Sequence, residues 1–426
     1  MPCRSFRFIR PLLLVLALLG WGKALPGATL TVTSTNDSGA GSLRAAIASA
    51  ASGDTITFNL SGSVITLAST LSISKDLTIT GPGAKLLTLD GGSGWSAQTG
   101  PLPSSGVRIL DISGANVTVS GLRFRNGYVA GAGMAGMSTG DNGAAIRILG
   151  ASTVTVEGCW FSHNLAKDRT TDPPVGGAIH LDQGSLSITN SSFHDNYAGA
   201  GSAVSNYGGE VAFVNCTLSG NTAYAGGAFI HVPAGKTSTL EHCTVADNIS
   251  LNTHDSGGLS IINGGITLKD CIVAGNSLSL DATGITNYAD LDTNWGGSGT
   301  ITSLGGNLLG SNATVPFIQQ PHDLVGTLLA PADPQLQPLD LTLTLGGSTP
   351  YRPLASTSPA INLGVESGGT DQRGIARLGV ADAGAYEYVP VTIRGSAGIA
   401  GATLAYTDGT AKTVSADAGG GSTLTV

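Results

Sequence analysis

This sequence is poor in charge. Charged residues make up 11% of its 426 positions, against roughly 25% in an ordinary globular protein. The net charge of −8 offers no basic surface, which argues against nucleic acid as a partner. After the N-terminal segment, no stretch is long and apolar enough for a transmembrane helix, which takes ~20 residues. Only one segment carries a helical period. Glycine, in contrast, is abundant at 63 residues, about twice the usual share. Low charge with much glycine is compatible with disorder, but 41% hydrophobic content in regular β-branched runs argues for a folded β protein.

The first residues read as a secretory signal. Arg4, Arg7 and Arg10 precede the apolar run Leu12 to Leu19, and Gly22-Lys23-Ala24 places small residues where a signal peptidase needs them. Cleavage is expected after Ala24, giving a signal peptide over 1–24. The apolar run is too short to span a bilayer, and no cysteine follows it to carry a lipid. The expected location is therefore secreted or cell-surface.

Five stretches repeat one pattern. Val154, Val156, Cys159, Phe161 and Asn164 recur as Leu186, Ile188, Ser191, Phe193 and Asn196. They recur again as Val211, Phe213, Cys216, Leu218 and Asn221, then as Ser238, Leu240, Cys243, Val245 and Asn248. The last copy is Ile266, Leu268, Cys271, Val273 and Asn276. A weaker copy runs Val117, Val119, Leu122, Phe124, with Gly127 at the Asn position. Apolar positions two apart mark a strand with one buried face. The three-residue step in the middle flips parity, so only a bend keeps both halves facing inward. The copies return after 37, 32, 25, 27 and 28 residues, the mark of coils stacked in a solenoid. A glycine motif precedes the copies, as in Gly176-Gly177-Ala178-Ile179 and Gly226-Gly227-Ala228-Phe229, and implies a tight corner into a third strand. One coil alone buries too little apolar surface to offset its ordering entropy, so stacking must supply the rest.

Cys3 leaves with the signal. Cys159, Cys216, Cys243 and Cys271 all hold one repeat position, so they should queue along the solenoid. Neighbours ~4.8 Å apart with parallel side chains do not converge as a disulfide requires, so buried thiols are expected ahead of the alternative, a Cys243–Cys271 or Cys216–Cys243 bond in an oxidising compartment. A row is also not the tetrahedron that zinc wants, and no metal or other cofactor is expected. The Asn residues closing each copy should stack as an amide ladder.

Before the repeats, Ser42 can cap a short helix from Leu43 to Ala51 with Leu43, Ala46, Ile47 and Ala50 on one face, a lid for the unpaired first coil. After them, residues 277–388 change character. Pro331 to Pro338 is proline-rich, and Asp371, Arg373, Asp382 and Glu387 read as a salt-linked cap more simply than as catalytic groups. Residues 389–426 alternate again but are too few for a β-sandwich of ~100 residues, and read as the opening strands of a further domain. The expected organisation is 1–24 signal peptide, 25–60 cap and first strand, 61–310 coils, 311–388 last coils and closing module, and 389–426 a partial β domain.

The Gly-Gly-Ala-Ile and Phe-x-x-Asn tetrapeptides (176–179, 193–196, and Phe161 with Asn164) resemble the repeats of polymorphic outer membrane proteins. The segment Asn36-Asp37-Ser38-Gly39 through Gly41-Ser42-Leu43-Arg44-Ala45-Ala46-Ile47 to Gly53-Asp54-Thr55-Ile56 resembles the N-terminal module of secreted bacterial β-helix proteins with a Cys-Ser-Leu-Arg-Glu-Ala signature. Here Gly41 replaces its Cys and Ala45 its Glu. Residues 345–387 resemble the choice-of-anchor terminal module of the same proteins. The resemblance implies an all-β fold, a right-handed parallel β-helix with an N-terminal capping helix and a partial β-sandwich-like segment at the end. It implies architecture more than activity, because these families are defined by their fold.

If Ile146/Ile148, Ile179/Leu181 and Val204/Asn206 face inward, the outward row is Arg147, His180, Asp182, Ser205 and Tyr207, with His231 joining it if its register allows. Polar and aromatic groups of this kind bind sugars. Hydrolysis would want two carboxylates at a set spacing, and only Asp182 lies on the row. A calcium-dependent lyase would want several acidic ligands around one ion. No catalytic residue is singled out. The leading expectation is an adhesin-like binding scaffold for glycans or cell-surface polymers. The alternative is a polysaccharide lyase or glycoside hydrolase acting on pectin-like polymers.

Overall fold

The computed structural model describes residues 27–95, 103–130, 141–167, 174–252, 256–278, 287–288, 290–293, 297–311 and 315–389, and the backbone of four short strands between 392 and 425. The expected signal peptide lies outside the described residues. The chain winds into stacked coils whose strands form four rows, parallel throughout except where Ser277–Leu278 meets Asn287–Tyr288 antiparallel at the end of the shortest. A representative coil runs Thr153–Glu157 in the first sheet, Trp160–Ser162 in the second, Leu165–Ala166 in a short row, and Ile179–Leu181 in the third sheet. The first and second sheets have 10 strands each, the third 8, and the short row 7. Three strands per coil were expected. The fourth row of two-residue pairs follows each Asn position and has no alternation of its own in the sequence.

The parity flip is resolved by a corner. Val154 and Val156 face the interior, and so do Cys159 and Phe161, all at 0% exposure. Between them Gly158 takes φ 55°, and Asn190, Asn215, His242 and Asp270 take the same left-handed backbone in later coils. Asn, Asp and Gly tolerate that region best. Phe124, Phe161 and Phe193 stack inside, with ring centroids 4.9 and 4.6 Å apart. The cysteines queue as expected. Each is buried and free, and the residues that follow them pair in one register from Trp160 through Ser192, Thr217 and Thr244 to Ile272. The Cys216, Cys243 and Cys271 thiols each point to the carbonyl two residues back at 3.2 Å. Burial pushes the Cys159 thiol up to about 12, so it is no nucleophile at neutral pH.

The Asn ladder forms. The amide of each of Asn164, Asn196, Asn221 and Asn248 donates to the side-chain oxygen of the next at 2.8–2.9 Å. That oxygen also accepts the backbone N–H of the Asn before it. Asn276 continues the ladder onto Asp290, donating both its backbone N–H and its amide to one carboxylate oxygen at 2.9 and 2.8 Å. Ser311 N–H donates to the other oxygen at 2.8 Å. Full burial pushes the Asp290 carboxyl up to about 7.

Both ends of the tube are covered. The helix Leu43–Ser49, capped by Ser42, buries Leu43 and Ile47 in the same core as Val32 and Ile56. At the far end Val315 is buried in that core, with Phe317 and Val325 against it. The salt-linked module was expected to close the array. It lies instead along the flank of the second sheet. Leu343, Tyr351, Leu354, Ala360 and Tyr386 pack on Ile272, Ala274 and Leu308 from that sheet's outer face, because these last strands carry apolar residues outward where the earlier ones carry mostly polar ones, among them Arg123, Ser162, His194 and Thr217. Asp371 pairs with Arg373 at 2.6 Å and Arg377 with Glu387 at 3.3 Å. Beyond it, Thr392–Gly395 pairs antiparallel with Ser422–Thr425, and Thr403–Thr407 with Ala411–Ser415.

Candidate functional site

The third sheet carries the strip singled out from the sequence. Arg147, His180 and Ser205 are paired neighbours in one row that also holds Asp111 and Ile230. The row is not a solvated face. His180 is 1% exposed and Ser205 0%, and the imidazole Nδ1 lies 2.8 Å from the Ser205 hydroxyl. Burial, with Arg147 and Arg108 nearby, holds His180 down to about 3. The roof is the glycine corner itself. Gly176 has φ +72°, and a Cβ on it would sit 2.7 Å from the Ser205 hydroxyl and 3.0 Å from the His180 Cβ. Glycine therefore lets the backbone lie directly over these side chains. Val175, Ala200 and Ile230 complete the cover. A pattern of alternation shows which side of a strand a residue takes, not what the next corner lays over it.

The other strip residues divide. Arg147 is spent on Asp111, with two contacts at 3.0 and 2.5 Å. Tyr207 and Asp182 are half-buried, and the Tyr207 ring stands 5.5 Å from that of His180. His231 does not join the outward row. It pairs with Asn206 and Ile261 in the interior, fully buried. Its Nδ1 lies 3.0 Å from the Ser238 hydroxyl and 3.1 Å from the Asn206 amide. Ser238, the polar exception of the repeat, thus belongs to a small internal polar set.

The second sheet presents a cluster that sequence reasoning passed over. Arg123 lies over the Trp160 ring at 3.7 Å. The Trp160 indole donates to His194 Nε2 at 2.5 Å, and His194 Nδ1 is 2.7 Å from Asp195. Both ring nitrogens of His194 are thereby engaged, so the pair with Asp195 has no free base to offer a substrate. The only signal was a run of Arg, Trp and His at outward positions of successive copies.

Glu241, His242 and Glu366 bring one ligand atom each within 4.8 Å of one another, and they are the one such group among the described residues. Lys269 sits between the carboxylates, 3.6 Å from Glu241 and in direct contact with Glu366. Its ammonium already supplies the charge a cation would bring, so the group reads as a tie between flank module and coil.

The first sheet is different. Among the described residues no module lies on its outer face, and most of its outward side chains keep partial or full exposure. A shallow depression of about 270 Å³ lies over Ala212, rimmed by Thr155, Ser187, Glu210 and Thr239. Hydroxyls and one carboxylate can hold a polar ligand there, but a single carboxylate does not make the pair that glycoside hydrolysis needs.

A family match agrees with this geometry. The family described as "Right handed beta helix region" matches residues 100–243 and 144–299. The coils form a right-handed parallel β-helix. Pectate lyase Pel9A is similar to this β-helix at 16% identity, covering 85% of this chain and 97% of its own, with a TM-score of 0.44. The structure of jun a 1, the major allergen from cedar pollen, is similar at 14% identity, covering 70% of this chain and 77% of its own, with a TM-score of 0.38. No curated protein matches the sequence.

Proposed function

We propose that this β-helix is an exported, adhesin-like scaffold that binds glycans or other extended surfaces, and that the outer face of its first sheet is the contact surface. The observation that carries the reading is the contrast between faces. The third sheet is roofed by its own corners at His180 and Ser205 and half of the second sheet by the flank module, while among the described residues nothing covers the ten strands of the first. Export rests on the arginine-flanked apolar segment before Ala24. The likeness to polymorphic outer membrane protein repeats and to choice-of-anchor modules belongs to the same proposal, as does the division at 60, 310 and 388. Of the strip read from the sequence, Asp182 and Tyr207 keep partial exposure and mark where the contact would lie if it were on the third sheet instead.

A glycan array tests the reading, run beside an assay for unsaturated or reducing ends released from pectin-like polymers. Binding without turnover, weakened by Thr155→Arg and Thr239→Arg, is the expected result. Release of sugar ends would replace the scaffold with the polysaccharide lyase or hydrolase. Binding indifferent to both substitutions but lost in Tyr207→Ala would move the contact to the third sheet.

A further inference from the structure

The open face has an order that a general binding surface does not need. One outward column runs through all ten strands of the first sheet without a register slip, from Thr29 to Thr302. Eight of its ten members are threonine, broken only by Ser187 and Ala212. Two residues further along each strand a second column begins Thr31, Thr57, Thr80 and Ser120. The first column holds no ionisable group, and the second holds none until Glu157. Neither column holds an aromatic side chain.

Those features define a lattice. Parallel strands set the columns' rungs ~4.8 Å apart, and residues i and i+2 stand ~6.6 Å apart along a strand. Threonine is β-branched and stiff at χ1, so each hydroxyl and each methyl is held at a fixed place. Thr31 and Thr57 hydroxyls approach to 3.4 Å, in line along the column. A rigid grid of this kind loses little side-chain entropy when it meets a surface. Its methyls leave water nothing to bond, and its hydroxyls fix water at regular points. What matches it is a flat, uncharged, periodic array of hydrogen-bonding groups. A sugar polymer would be favoured by aromatic platforms, and an acidic one by Lys or Arg, and the columns near the N-terminal end offer neither.

We propose that the threonine face binds ordered water, the surface of an ice crystal. The inference needs the first sheet to be open, as the scaffold reading does, but it does not need a glycan ligand. The test uses the full mature chain, fluorescently labelled, on a slowly growing ice hemisphere, with recrystallisation inhibition measured in parallel. The wild type is expected to enter the ice and to slow grain growth. Thr78→Lys combined with Thr118→Lys puts two charges into the grid at half-buried, outward-facing positions, and should abolish both effects while the circular dichroism spectrum of the β-helix is retained. Ser104→Lys, in an exposed loop outside the sheet, should retain both. Exclusion of the wild type from ice overturns the proposal. Ice binding that survives the double substitution overturns its assignment to this face. A wild type that binds neutral glycans but is excluded from ice ends this inference and leaves the scaffold reading standing.

Discussion

Asn221 is an inner rung of the amide ladder. Its oxygen accepts the backbone N–H and the amide of Asn196, and its own amide donates to Phe193 O and to Asn248. Truncation to Ala leaves these groups buried without partners, each costing about 1–3 kcal/mol. Asn221→Ala should therefore lower the unfolding free energy by roughly 3 kcal/mol or more in a urea titration. A loss no greater than that of a surface substitution would show the ladder to be decorative. The ladder was readable because Asn returns at a fixed place in every copy. Its last rung was not, because Asp290 arrives through an excursion that breaks the period. That rung has its own pH signature. Its folded carboxyl stands at about 7 against an ordinary 3.8. A raised acid favours the folded state fully below the unfolded value, and that contribution is lost as pH rises through the folded one. Asp290→Asn cannot ionise. Relative to the wild type it should gain stability between about pH 4 and 7, on the order of a few kcal/mol, read as the difference of two denaturation curves at pH 4.5 and 8. A difference that stays constant with pH refutes the assignment. His180 shows the opposite limit of legibility. Its place in the outward row followed from alternation, yet its burial depended on a backbone laid over it by Gly143 and Gly176.

At the scale of the element, the flank module is the part whose position the sequence did not disclose. Its internal salt links were readable from Asp371, Arg373, Asp382 and Glu387. Its return along the second sheet was not, because the tie is made across 162 residues, where Arg377 donates to the Asn215 side chain at 3.0 Å. Arg377 also donates to Gly384 O, Asp382 O and Glu387, and it is the buried hub of the module. Removing one partner of a buried pair costs about 3–5 kcal/mol. Arg377→Ala should spend that loss on the module and not on the coils, whose backbone ladders it does not touch. Trypsin should then cut at Arg373, whose side chain is 5% exposed in the folded module and paired with Asp371, while the far-UV signal of the β-helix persists. If the whole protein melts as one unit with no early cut, module and coils fold together and the flank is integral to the helix. The same tie explains why His242 stands at a corner that otherwise holds Gly, Asn or Asp. It faces Asp270 across 3.7 Å under the module, and burial holds it down to about 3, so it is neutral there at physiological pH.

At the scale of the molecule, a solenoid tolerates changes that respect its period and no others. Each coil touches only its neighbours, so stability is close to a sum of coil terms and interface terms. Deleting residues 186–210 removes one period of 25 residues and joins Ser185 to Val211. These positions are close to equivalent, since Ser185 pairs with Glu210 and Leu186 with Val211. The new neighbours also agree in kind. Asn164 would meet Asn221 in place of Asn196, Cys159 would meet Cys216, and Phe161 would meet Leu218. The shortened chain should fold, with a β-rich spectrum and a lowered but cooperative melt, and the module would re-seat one rung along the second sheet. Deleting only residues 186–197 takes half a period. It removes one rung from both the first and the second sheet, so that the third-sheet strand Ile179–Leu181 is followed directly by the third-sheet strand Val204–Asn206 with no turn of the coil between them, and the apolar sets lose their register. That chain should be recovered only as aggregate. Equal solubility of the two deletions would mean that stacking in register is not what holds the coils together, and the tube would need another source of cohesion.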